Sequence, residues 1–144
     1  MAMSLDEIKR QFVEQVKLRA YEDKYIDKTE EREILQLALQ HGVTVDSARA
    51  ALAQVCEANG YVLESRVLTD IKQTIEIAAG NDGKIDEKEY KDAVALLKMK
   101  CNGKRNDIQC KRMVLELIEE GGFKTSTGWF SSWYTNARKE VGLA

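Results

Sequence analysis

The chain has 144 residues, 44% of them hydrophobic and 32% charged, with no proline and a formal charge of −2. That balance belongs to a folded, single-domain-sized protein and excludes disordered and collagen-like classes. No apolar run reaches the roughly 20 residues that a membrane-spanning helix needs. Residues 1–9 lack the apolar stretch of a signal peptide, and the three cysteines form no C-x-x-C pair. The expectation is a cytoplasmic protein with reduced thiols.

Taken in chain order, the sequence predicts helices almost throughout. Leu5, Ile8, Phe12 and Val16 recur at helical spacing and predict a first helix over 4–22. Asp27-Lys28-Thr29-Glu30 has the form of a capping box and opens a second helix with Ile34, Leu35 and Ala38 inward, ended by His41-Gly42. A third helix over 44–58 buries Ala48, Ala51, Leu52 and Val55 and stops at Asn59-Gly60. A fourth carries Leu63, Val67, Leu68, Ile71 and Ile75 and breaks at Gly80–Gly83. Asp86 opens a fifth, which Asn102-Gly103 closes. Asn106-Asp107-Ile108-Gln109 opens a sixth with Met113, Val114, Leu117 and Ile118, closed by Gly121-Gly122. Residues 125–127 cap a seventh helix, over about 126–141, that holds Trp129, Phe130, Trp133 and Tyr134.

The chain also repeats itself. At an offset of 59, Asp23, Ile26, Asp27 and Glu30 meet the identical residues Asp82, Ile85, Asp86 and Glu89. Phe12, Val16 and Leu18 meet Ile71, Ile75 and Ile77. Beyond the turn the offset is 62, so the second copy carries three extra residues, expected in a loop; there Ala48, Leu52 and Val55 meet Cys110, Val114 and Leu117. The expected fold is an all-α bundle of about seven helices in one domain, built from two three-helix units (5–61 and 63–123) and a C-terminal aromatic helix.

The turn at Asp82–Glu89 invites a calcium reading. Placing Gly83 at position 6 of an EF-hand loop puts Asp82 at 5, Ile85 at 8, Asp86 at 9 and Glu89 at 12. Ala78 and Gly80 then occupy positions 1 and 3, where oxygen ligands belong, and the first copy has Lys24 at the glycine position. Helix capping by Asp86 and Glu89 accounts for the same residues without metal, so no cofactor is expected; the alternative is a Ca2+ or Mg2+ site on Asp82, Asp86 and Glu89.

Two copies of a helix, an Asp-x-x-Ile-Asp-x-x-Glu turn and a second helix resemble the tellurite-resistance TerB-like domain over about residues 8–122. That resemblance implies an all-helical, pseudo-two-fold fold, a bacterial stress-related setting, and metal-linked acids at Asp23, Asp27, Glu30, Asp82, Asp86 and Glu89.

No catalytic motif is present. The one histidine, His41, stands at a helix end, and Cys56, Cys101 and Cys110 fall on apolar stripes as buried thiols do. The function expected is therefore a non-enzymatic binding or adaptor protein with a protein partner. The binding face is expected on Trp129, Phe130, Trp133, Tyr134 and Arg138, because aromatics and arginine dominate interface hot spots. A helix-turn-helix reading of 42–61 would present Arg49, Gln54 and Glu57 to DNA with Asp46 facing phosphate, an electrostatic mismatch, so nucleic acid is not the expected partner. Charge is uneven. Residues 1–90 carry 12 Lys/Arg against 18 Asp/Glu, and residues 91–144 carry 10 against 6. The basic excess clusters at Lys98, Lys100, Lys104, Arg105, Lys111 and Arg112.

Overall fold

A computed structural model describes residues 4–19, 23–125 and 133–143. Packing divides the chain into two compact units, Met1–Arg66 and Val67–Ala144. Among the described residues the elements are all-α but for four two-residue strands.

The first unit holds α1 (Leu5–Arg19), β1 (Tyr25–Ile26), α2 (Lys28–Gln40), α3 (Val45–Asn59) and β2 (Val62–Leu63). The predicted stripe of α1 is buried at Ile8, Phe12 and Val16, against Ile34, Leu35 and Ala38 of α2 and Ala48, Ala51, Leu52, Val55 and Cys56 of α3. Each such large apolar side chain taken from water stabilises the fold by about 1.5–3 kcal/mol. The second unit begins within α4 (Glu64–Ala79) and continues through a 3-10 turn (Gly80–Asp82), β3 (Lys84–Ile85), α5 (Glu87–Lys100), α6 (Asp107–Glu120), β4 (Lys124–Thr125) and α7 (Trp133–Glu140). Its buried side chains include Ile71, Ile75, Ile85, Tyr90, Leu97, Val114, Leu115, Ile118 and Trp133.

The repeat is thus helix–strand–helix–helix–strand, and the strands carry its closure. β1 pairs in parallel with β2, Tyr25 opposite Val62, and β3 pairs in parallel with β4, Lys84 opposite Lys124. Strands this short show no alternation, which is why no sequence period announces them. Thr125, expected to begin a helix cap, belongs to β4. In both copies the same turn feeds the strand. Asp23 Oδ1 accepts from the Tyr25 amide at 3.1 Å, and Asp82 Oδ1 from the Lys84 amide at 3.0 Å. The residue between them is left-handed: Lys24 at φ 54° and Gly83 at φ 67°. Its carbonyl then accepts the bridging amide, Val62 to Lys24 at 2.9 Å and Lys124 to Gly83 at 2.8 Å.

Two expectations change on packing. Leu5, predicted on the stripe of α1, is 44% exposed, and the matched pair Leu18 and Ile77 lies off the buried stripe at 75% and 82%. The three extra residues of the second copy are not all in a loop. α2 and α5 match through their last buried positions, Ala38 and Leu97, but α5 then runs one residue further, to Lys100. The remaining two lie between Asn102 and the cap Asn106, where the first copy has only Gly42, Val43 and the cap Thr44.

A lysine held left-handed costs about 1–2 kcal/mol that glycine does not incur, partly offset by the greater freedom of glycine when unfolded. Lys24→Gly is therefore expected to raise unfolding free energy by about 0.5–1 kcal/mol, and Gly83→Ala to lower it by about 1 kcal/mol, in urea titrations. A destabilising Lys24→Gly would show that the lysine side chain has a role the backbone does not explain.

Candidate functional site

The acidic turns are occupied by the backbone. Asp86 Oδ1 accepts from the Glu89 amide at 2.8 Å, and the Glu89 carboxylate accepts from the Asp86 amide at 3.1 Å. Asp27 and Glu30 make the same reciprocal pair at 2.8 and 3.2 Å. Burial pushes the Glu30 carboxyl above its ordinary value, with the nearby Asp27 and Asp23 charges adding to the effect against the hydrogen bond from the Asp27 amide. Among the described residues no three His, Cys, Asp or Glu side chains converge as a metal-holding group. At the turn read as a cation site, Asp82 closes the turn, and Asp86 and Glu89 close a helix end. Asp23, Asp27 and Glu30 make the equivalent bonds in the first copy.

The aromatic face divides. Trp129 and Phe130 lie outside the described residues. Trp133 is 6% exposed and stacks on Tyr90, ring centroids 5.3 Å apart. It faces inward with Ala137 and Val141, so Val141 shares the face of Trp133 rather than that of Tyr134. Tyr134 and Arg138 both hydrogen-bond Glu119 of α6. The guanidinium also donates to the Leu143 carbonyl at 2.6 Å. Trp133 is therefore corrected from a partner-facing to a core residue, while Tyr134 and Arg138 fasten α7 to α6.

The cysteines are shielded from solvent. All three are free and buried, and burial pushes the Cys56 thiol up to about 12 and the Cys110 thiol up to about 11. Neither forms thiolate at neutral pH. On α3, the exposed Arg49 is outnumbered by the exposed acids Asp46 and Glu57, so the face offered to DNA in a helix-turn-helix reading is acidic.

What is left open is the corner joining α5 to α6. α5 ends in a Schellman turn, with the Gly103 amide donating to the Lys98 carbonyl at 3.2 Å and the Asn102 amide to Met99 at 3.0 Å. Asn102 and Gly103 are both left-handed, at φ 53° and 72°. Asn106 then caps α6 reciprocally with Gln109, at 2.8 Å each way. Cys101 and Cys110, both 0% exposed, anchor the two sides of the loop, and the Cys110 thiol donates to the Arg105 carbonyl at 3.8 Å. On either side of this braced loop, Met99 of α5 is 66% exposed and Ile108 of α6 44%. The basic cluster sorts around them. Lys111 is held by Asp107 and Glu140, Arg112 by Glu116 at 3.2 Å, and Lys100 approaches Asp70 at 3.7 Å. Lys98 and Lys104 are exposed and make no ion pair among the described residues. The sequence reading found the cations but missed Met99 and Ile108; the signal was that neither fits the buried stripe of its helix.

No protein-family profile, curated protein or solved structure matches the chain.

Two measurements follow. Asp86→Ala is expected to cost about 1 kcal/mol, as N-cap losses do, and by the same amount with or without millimolar calcium. A calcium-dependent difference would restore the cation reading. The hydrogen bond from Tyr134, and then the Arg138 guanidinium, hold the Glu119 carboxyl below its ordinary value of 4.5. The stability this contact supplies is complete above pH 4.5 and is lost as pH falls through the lower, folded-state value. Loosening of α7, read from tryptophan emission, is thus expected only below about pH 4.5, and Glu119→Gln should remove that acid step.

Proposed function

We propose that the chain is a non-enzymatic protein-binding module, of the TerB-like kind its turns resemble, that presents the α5–α6 corner to a partner. The observation that carries this reading is the exposure of Met99 and Ile108 at a corner braced by buried cysteines, with Lys98 and Lys104 exposed there and in no ion pair among the described residues. Isolated exposed apolar side chains are ordinary on any surface. A methionine and an isoleucine within a cluster of cations form a composite surface, in which the thioether adapts its shape and the lysines supply charge.

Support also comes from what is already engaged elsewhere. The turn carboxylates cap helices, the thiols are buried, and Tyr134 and Arg138 are fastened to Glu119. An intracellular adaptor role fits three unoxidised cysteines. Among the described residues no helix is long and apolar enough to cross a membrane.

Photo-reactive residues introduced at positions 99 and 108 test the reading, with exposed position 57 on α3 as control. A discrete adduct is expected from 99 and 108 and not from 57. The purified adduct partner should bind the Met99→Ser/Ile108→Ser variant at least about tenfold more weakly at unchanged melting temperature. No adduct at 99 and 108, or the same adduct at 57, would overturn the proposal.

A further inference from the structure

The internal repeat supplies a reference for the α5–α6 corner. The last turn of α2 and the loop to α3, residues 39–44, contain no lysine, arginine or acid. The corresponding stretch from Lys98 to Asn106 is three residues longer and contains Lys98, Lys100, Lys104 and Arg105, again with no acid. Fold maintenance does not require this difference, because both copies keep the same Schellman turn and the same side-chain N-cap.

Local electrostatics sort these cations into two kinds. Lys98 and Lys100 sit in the last turn of α5, where the carbonyl end of the helix favours positive charge. Lys104 and Arg105 immediately precede the N-cap of α6, where the exposed amides favour negative charge. α6 carries its own acid, Asp107, inside its first turn, as α2 and α5 carry theirs. Lys104 is thus held against the field of the helix it introduces.

Resting on the binding role proposed above, we infer that the α5–α6 corner docks a short acidic segment of a partner protein that also carries apolar side chains. Its carboxylates would meet Lys98 and Lys104, and its apolar residues would cover Met99 and Ile108. Charge complementarity selects this occupant over an extended polyanion. The unit that holds the corner is nearly neutral, with 13 Lys/Arg against 12 Asp/Glu over residues 67–144, so its cations do not continue as a basic track. A nucleic acid or an anionic bilayer extends well beyond one helix corner and meets the acids of that unit, whereas a short segment meets the corner alone. Two exposed apolar side chains are also a small anchor for a bilayer, which takes up an entire amphipathic helix face.

The test uses the full chain and a labelled peptide of about 18 residues alternating Glu and Leu at helical spacing, read by fluorescence anisotropy. Two companion peptides replace every Glu by Gln or every Leu by Ser. The Glu/Leu peptide is expected to bind at least about tenfold more tightly than either companion, and to weaken by at least about tenfold between 50 and 300 mM salt. Lys98→Glu/Lys104→Glu and Met99→Ser/Ile108→Ser should each lower its affinity by at least about tenfold. All four side chains are exposed, so thermal melts should confirm unchanged folding. Equal binding of the Gln peptide, or affinity unaffected by the lysine reversals, would overturn the inference. So would retention on phosphatidylserine vesicles or a DNA duplex without peptide binding, or self-association that accounts for the signal. A photo-adduct at positions 99 and 108 combined with no acidic-peptide binding would reject this partner chemistry and leave the binding role standing. Absence of both would reject the two together.

Discussion

In each unit one left-handed residue does what the surrounding helices cannot. Its carbonyl must turn to face the far end of the unit, because there the amide of Val62 or Lys124 needs an acceptor. That orientation requires a positive φ at Lys24 or Gly83, an aspartate one residue earlier to tie the turn, and an isoleucine two residues later to fill the interior. Once the bridge is made, Asp27 or Asp86 follows at the helix N-cap without a gap. The spacing of the acids is thus set by backbone geometry. The hydrogen-bonding needs of the backbone account for an acidic turn with EF-hand spacing.

Much of this was legible because each requirement has a residue type that meets it. The three capping boxes, the glycine stops at Gly42, Gly60 and Gly122, and the stripes of α1 and α3 all read directly, since caps and helical periods are local. The parallel bridges were not legible, because a two-residue strand has no period and its partner lies at the other end of the unit. Leu18 and Ile77 match between the repeats yet both face solvent, because facing depends on helical phase and not on apolar type. Trp133 misled through composition. Aromatics and arginine mark interfaces, and they equally mark a short terminal helix that must secure itself with few side chains.

The candidate corner was half legible. Its charge could be counted from the sequence, but which cations are neutralised could not, because Asp70 and Glu140 reach them from distant positions in the chain. The exposure of Met99 and Ile108 follows from helical phase, since the matching positions Gln40 and Asp46 are exposed too. The three residues by which the second copy is longer fall on the surface rather than in the core.

The strand bridges also bear on the order in which the chain can acquire structure. A helical hairpin such as α2–α3 needs only neighbours, whereas each bridge joins the beginning of a unit to its end and carries the entropy of closing that long loop. During synthesis the first unit can complete itself once Leu63 has emerged, while the second must wait for Thr125. Until then the apolar side of β3, at Ile85, has no closing strand beside it. The nascent second half is the stage at which this protein most needs protection from aggregation.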